Sequence, residues 1–327
     1  MPPVRLGVLA FGIMGERLTR AILAQDPDRI ALSGVYDPSP AAIERLRREL
    51  PDAPVAASRE ALIAASDCIY VASPPSSHIE HARAALAAGR AVFCEKPLAV
   101  DAAQAEAFVS EAEAMGARAA VNFPFASSFA VDQIREWMAD GTVGTPRRVM
   151  VEVAFAEWPR PWQADAKAWL DGRAQGGFTR EVVSHFLFLT RRLVGPMELR
   201  RRSAEFPEPG SSERAIAADL LVGSLPVRLE GRVGGTASAD HNAWTLEGTE
   251  GTVRLRDWSY AERLDSDGTW RETLDALPNE RVRPLVLRRQ LDKVAALTEG
   301  RPQDLATLRE ALEVQAIVEA ILTDDGA

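Results

Sequence analysis

The first 122 residues alternate between short aliphatic or β-branched runs and alanine-, leucine- and arginine-rich stretches with helical spacing. This is the rhythm of a parallel sheet crossed by helices. Residues 4–9, 31–36, 68–72, 91–94 and 119–122 read as strands, and residues 15–25, 39–50, 78–88 and 102–115 as helices. The strand runs are short and uniformly apolar, so both faces of their sheet need helical cover. After residue 122 the texture changes. A helix over 128–140 precedes longer alternating segments at 147–155, 214–221 and 227–233, then a pair at 243–247 and 252–256 around the turn Gly248-Thr249-Glu250-Gly251. Those are antiparallel signals. A helix over 179–193 interrupts them, and helices over 284–299 and 304–322 close the chain. The expected fold class is α/β. A doubly wound parallel-sheet domain over 1–122 precedes an α+β domain over 123–327, built on a mostly antiparallel open sheet, with C-terminal helices expected to pack back on the first domain.

The chain has 327 residues, 46% hydrophobic and 26% charged, enough for two folded domains. A net charge of −9 gives no overall field for phosphate backbones or anionic lipid, so neither nucleic acid nor membrane is an expected partner. No apolar run approaches the roughly 18 residues of a membrane span. The apolar stretch from Leu6 to Met14 follows Arg5 as a short leader core does, but no small-residue cleavage site comes before Glu16. A cytoplasmic protein is expected. Cys68 and Cys94 sit in apolar strand runs and read as core packing, and four scattered histidines without a Cys/His cluster argue against a bound metal. Of 38 basic residues only Lys96, Lys167 and Lys293 are lysine. In such a chain a lysine needs a reason.

The first strand run leads through Ala10-Phe11-Gly12-Ile13-Met14-Gly15 directly into a helix. The stretch resembles the dinucleotide-binding fingerprint of Rossmann domains, with alanine in place of the first glycine. Gly12 lets main-chain N–H groups approach a pyrophosphate, and Gly15 lets helix and strand pack closely. The same glycines also serve a plain tight turn. Asp37 ends the second strand run about 20 residues later, where the fingerprint expects a carboxylate accepting from the adenosine ribose. An acidic side chain there repels a 2′-phosphate, and Pro38-Ser39-Pro40 supplies no arginine to neutralise one, so NAD is expected over NADP. A helix cap or turn former before Pro38 is the lesser alternative for the aspartate.

The stretch Ser66 to His78, with its strand end Ala72-Ser73-Pro74, continues through Ala85-Leu86-Ala87-Ala88-Gly89 to Phe93-Cys94-Glu95-Lys96-Pro97-Leu98. In order and spacing these motifs resemble the Gfo/Idh/MocA oxidoreductases, and Leu246 to Val253 is similar to that family's late hairpin. The resemblance implies a nicotinamide-dependent dehydrogenase or reductase acting on CH–OH groups of a small sugar, polyol or cyclic alcohol. It implies cofactor contacts from Phe11, Gly12, Ile13, Met14, Asp37, Ser73, Pro74, His78, Glu95 and Lys96. Lys96 stands at the carboxyl end of a parallel strand, where open α/β sheets bind ligands, and an ammonium there can help a substrate hydroxyl lose its proton.

In Gly176-Gly177-Phe178-Thr179-Arg180-Glu181-Val182-Val183-Ser184-His185 the family pattern has an aspartate followed four residues later by a histidine. His185 matches, and Glu181 stands at the acidic position. Residues four apart share a helix face, and histidine is the natural acid/base near neutral pH. The implied catalytic set is therefore Lys96, His185 and Glu181. The family's further aspartate, three residues after the histidine, is Phe188 here, which points to a less polar substrate or a differently wired surround. His81 and His241 read as structural or solvent-facing. Three of seven tryptophans fall between Trp158 and Trp169, with Arg160 among them, as a pocket wall or a subunit contact. The open sheet predicts a homodimer or homotetramer. Two other readings keep the same fold: an NAD-using enzyme that oxidises transiently and eliminates, and a non-catalytic NAD(H)-sensing regulator.

Overall fold

A computed structural model describes residues 2–323 apart from residue 235. The chain forms two compact units, one running to Ser127 and taking in Pro284–Leu312, the other comprising Ser128–Arg283 and the chain from Glu313 onward.

In the first unit, strands β1 (Val4–Leu9), β2 (Ile30–Tyr36), β3 (Cys68–Val71), β4 (Ala91–Cys94) and β5 (Ala119–Val121) form one parallel sheet in the order β2-β1-β3-β4-β5. Helices α1 (Ile13–Leu23), α2 (Pro40–Glu49), α3 (Arg59–Ala65), α4 (His78–Ala87) and α5 (Ala102–Ala114) alternate with the strands. The strand order reverses between β1 and β3, the place where doubly wound sheets open a crevice at their carboxyl ends. β3 and β4 are buried along their whole length, as helical cover on both faces requires. Ser39, Ser58 and Asp101 cap α2, α3 and α5 by accepting a main-chain N–H. Leu291, Val294 and Ala295 belong to the same apolar core as Leu6, Val8 and Tyr70.

In the second unit come α6 (Phe129–Ala139), β6 (Pro146–Phe155), α7 (Lys167–Leu170), a π-helical turn at Thr179–Val183 and α8 (Ser184–Leu193). Strands β7 (Glu198–Glu205), β8 (Ala215–Val222), β9 (Leu225–Val233), β10 (Asp240–Gly248), β11 (Thr252–Arg256), β12 (Tyr260–Leu264) and β13 (Trp270–Glu272) follow; of the last two helices, α9 (Asn279–Thr298) falls mostly in the first unit and α10 (Leu308–Leu322) mostly in the second. The eight strands order as β13-β12-β11-β10-β6-β9-β8-β7, with β6 and β9 the parallel neighbours. One face is apolar: Val149, Val151, Val153, Trp244 and Leu246 are buried, and the Trp244 indole donates to the Thr190 hydroxyl of α8 at 2.9 Å. The other carries crossed charges, with Arg148 paired to Glu247 and Arg228 to Asp219. The expected turn at 248–251 joins β10 to β11, pairing Leu246 with Val253. Among the described residues no helix is long and apolar enough to cross a membrane, and no group of His, Cys, Asp and Glu is arranged to hold a metal ion.

Candidate active site

At the end of β1 the chain turns through Ala10, whose φ of 79° lies in the left-handed region that a glycine occupies at little cost. Gly15 is required by the protein itself, because a Cβ there would fall 2.0 Å from the Ala10 carbonyl oxygen. Gly12 is different. A Cβ there meets nothing within 4 Å, so the turn opens onto free space at the N-terminus of α1, whose first turn has no side-chain cap. Room beside uncapped N–H groups is what a pyrophosphate needs. The residues present therefore fit a dinucleotide.

Asp37 follows β2 and grips this turn. Its Oδ2 accepts the Phe11 N–H at 2.7 Å and its Oδ1 the Ser39 N–H at 2.8 Å. The Phe11 N–H is thus committed to Asp37, leaving Ile13 and Met14 as the first-turn donors. Each carboxylate oxygen retains a second lone-pair direction for a ribose hydroxyl. An arginine does stand near the turn: Arg45 of α2 donates to the Phe11 carbonyl, lies over the Phe11 ring and sits 3.6 Å from Glu16. It was not legible beside Asp37 because it reaches the turn from the middle of the next helix.

Ser73 and Pro74 leave β3 on the same sheet edge. The Ser73 hydroxyl accepts from the Ser77 hydroxyl at 2.8 Å. His78, expected as a cofactor contact, is buried with Nδ1 and Nε2 each 2.7 Å from a main-chain carbonyl, of Pro97 and Ser73 respectively. Burial, more than any charge, pushes its pKa down from the usual histidine value, against the pull of those carbonyls. Glu95 is also buried. Its Oε1 accepts from the Tyr70 hydroxyl and, at 2.6 Å, from the Asn122 amide, whose own oxygen accepts from Gln290 at 2.7 Å. Burial and the Glu95 charge together raise the Tyr70 pKa far above the phenol range. Lys96 is half-buried between these two anchored neighbours, past the carboxyl end of β4. The cysteines pack as core, and burial pushes the Cys68 thiol up to about 12, which removes thiolate reactivity.

In the second unit the predicted α-helix over 179–193 begins instead as a π-helical turn, Thr179–Val183, before α8. Such turns widen a helix locally and recur at functional sites. Glu181 lies in this turn and His185 one residue into α8, 8% exposed. The turn is anchored from below by Glu213, fully buried, whose Oε1 accepts the Thr179 N–H at 2.7 Å. A Cβ on Gly177 would come within 2.3 Å of that carboxylate, which explains one glycine of the expected glycine-rich turn. Phe188 is fully buried and packs as core.

Three groups here escaped the sequence reading. Trp258 sits in a turn where both it and Asp257 have positive φ (73° and 45°), and its ring meets His185 edge to face at 5.4 Å. Non-glycine residues held in this region are strained and cluster at functional sites. A lone tryptophan beside a hairpin gives no pattern that would announce it. Gln163, 2% exposed, donates to Glu181 Oε1 at 3.5 Å. Asp240 pairs with Arg160 at 3.1 Å. Arg160 is committed within the protein: it is buried, bonded to Asp240 and Gln163, and stacked 4.7 Å from the Trp162 ring.

Residues 4–123 match the family model GFO_IDH_MocA, described as an oxidoreductase family with an NAD-binding Rossmann fold. The inositol 2-dehydrogenase of Cereibacter sphaeroides is 36% identical over 121 residues, which are 35% of this chain and 34% of that protein. The chain thus spans about a third of the length of the first curated relatives it matches. The D-apiose dehydrogenase of Paraburkholderia graminis is 28% identical over 319 residues, covering 92% of this chain and 79% of that one. The WlbA dehydrogenase of Bordetella pertussis, solved in complex with NADH and UDP-GlcNAcA, superposes with a TM-score of 0.80 at 22% identity, covering 98% of this chain and 94% of that one. Its likeness carries the fold through both units. Residues 4–123 are thus similar to the Gfo/Idh/MocA oxidoreductases, with their NAD-binding Rossmann fold.

Proposed function

We propose that this protein is an NAD-dependent oxidoreductase that moves hydride between nicotinamide and a hydroxyl-bearing carbon of a small sugar, polyol or cyclic alcohol. The observation that carries the reading is the open cradle at Gly12, held by Asp37, on the same sheet edge as Lys96. The relatives named for inositol and apiose support the substrate class.

When bound, NAD supplies the hydride acceptor or donor. The N–H groups of Ile13 and Met14 bind its pyrophosphate, with Gly12 giving the room, and Phe11 keeps the turn in place through Asp37. The Asp37 carboxylate accepts from the ribose hydroxyls and repels a 2′-phosphate, hence NAD over NADP. Ser73 and Pro74, past the carboxyl end of β3, would be among the residues that hold the cofactor. The Lys96 ammonium donates to the substrate hydroxyl and favours loss of its proton. His185 takes that proton in oxidation and returns it in reduction, and Glu181 orients the histidine or relays the proton. His78 and Glu95 serve by holding the chain on either side of Lys96.

Lys96→Met or His185→Ala is expected to lower turnover at least about a hundredfold with folding intact. Near-normal rates in both variants sink the role assignment. A thermal-shift screen of sugars, inositols and hydroxy acids with NADH present identifies the substrate class. Pairing of two or four copies through the open face of the eight-stranded sheet belongs to the same reading, and a monomer by light scattering overturns it. A cytoplasmic setting also belongs to this reading, and the two free buried cysteines suit it.

A further inference from the structure

The parallel ladder between β3 and β4 runs out at Val71 and Cys94, and one further bond, from the Glu95 N–H to the Val71 carbonyl at 2.9 Å, closes it. Ser73 and Lys96 both lie past that point, where the sheet no longer fixes one strand end against the other. His78 spans the gap. It is the first residue of α4, 1% exposed, and its ring stands between the Ser73 and Pro97 carbonyls with 2.7 Å to each. Both separations are full hydrogen-bond distances. On the other flank of Lys96, Glu95 is gripped by Tyr70 and Asn122, and the Asn122 N–H donates to the Cys94 carbonyl at 2.7 Å. The residue before Lys96 is tied to the sheet interior, and the residue after it is tied to His78.

We propose that His78 is a positioning residue for hydride transfer: its Nδ1–H donates to the Pro97 carbonyl and holds the Lys96 main chain against the start of α4. The proposal rests on the role given to Lys96 above, but it fails separately. A neutral imidazole carries one N–H, so the ring donates to one carbonyl at a time. Burial keeps the ring neutral, with His81 and Lys96 acting in the same direction. The choice of tautomer therefore separates two roles. A proton on Nδ1 serves the strand end that carries Lys96, whereas a proton on Nε2 alone serves only the loop that leads into α4.

Two measurements decide. In 15N-histidine-labelled enzyme with NADH bound, long-range proton–nitrogen correlation resolves four histidines, and the resonance lost in His78→Gln identifies this ring. A proton on Nδ1 is expected at neutral pH; a proton on Nε2 alone overturns the proposal. In kinetics, His78→Leu is expected to lower kcat about tenfold, to enlarge the primary isotope effect from NADH deuterated at the transferred position, and to leave the NADH Kd within about twofold, while His78→Gln, which keeps an N–H donor, recovers most of the rate. A folded His78→Leu variant with kcat within about twofold of the parent overturns it as well. If that variant does not fold, the tautomer in the unaltered enzyme still decides. Near-normal turnover in Lys96→Met instead sinks the underlying function, whatever the His78 tautomer.

Discussion

Around Gly12 and Lys96 the anchoring contacts run to the main chain: Asp37 holds the Phe11 and Ser39 N–H groups, and His78 faces the Ser73 and Pro97 carbonyls. The Glu181 carboxylate itself is instead reached through a chain of side chains, from Asp240 to Arg160 to Gln163 to Glu181. The first arrangement fixes atoms that every residue has, so its demands fall on a few residue types at fixed spacings. The second assembles from residues 80 and 18 positions apart and is tuned by whichever polar groups are present. The cofactor-side geometry should therefore be brittle to single changes, and the Glu181 side graded.

The sharpest break of that contrast lies within the glycine turn. Gly15→Ala puts a methyl group 2.0 Å from a carbonyl oxygen that the backbone cannot withdraw, and should cost about 4 kcal/mol or more, seen as a collapse of Tm or of soluble yield. Gly12→Val enters space where the protein itself meets nothing within 4 Å, so Tm should hold while the NADH Kd rises at least about tenfold. Equal stability loss in both variants would make the turn a plain packing feature.

Asp37→Asn tests the charge alone. The amide oxygen can still accept the Phe11 N–H, so the turn should persist while NADH affinity falls about tenfold, in line with loss of a charge-assisted bond. The NADH-over-NADPH preference should shrink by about the same factor. Unchanged selectivity in a titration with both cofactors would assign Asp37 to the turn only. On the Glu181 side the expected effects are smaller. Gln163→Leu removes a long 3.5 Å bond to Glu181 and should lower kcat about threefold to fivefold with NADH affinity unaltered. Asp240→Asn, one link further out, should do less. A hundredfold loss from either would mean that the relay is as brittle as the cofactor cradle.

How much was legible in the sequence follows the same division. The turn Gly12–Gly15 with Asp37, the strand end at Lys96, the hairpin at Gly248–Gly251 and the helix starts at Ser39 and Ser128 all carry local rules, and the fold has them at those positions. β7 was missed because Arg200, Arg201 and Arg202 break the alternation, yet a charged strand is what a sheet edge tolerates. β12 and β13, at the opposite edge, are five and three residues long, too short for periodicity to register. Pro284 reads as a helix start, whereas α9 begins at Asn279 and carries the proline inside. Trp258, Gln163 and Asp240 are site-forming only because distant strands and loops converge, and no spacing rule connects them to Glu181 or His185. The family pattern likewise assigns residue 188 to an acidic surround, and only packing shows Phe188 to be core.

The smallest expected effect is on stability against pH, and its sign follows from burial. The rings of His78 and His81 are held below the ordinary histidine pKa, by burial above all, so the fold favours their neutral forms. The unfolded chain binds these protons near pH 6.5, and between that value and the lower folded values it carries more protons than the native state. Stability therefore rises with pH through this window, is fully present above about 6.5, and is lost as pH falls through the folded pKa values. The arginine-paired carboxylates Asp67, Glu60 and Glu113 are held below their own ordinary values and titrate at more acid pH, outside the window. Tm should accordingly drop between pH 7.5 and 5.5, and His78→Gln, which cannot take up the proton, should flatten that slope even if it lowers Tm throughout. An unchanged slope in this variant would move the pH response to His81 and leave the bridge between the two strand ends indifferent to acid.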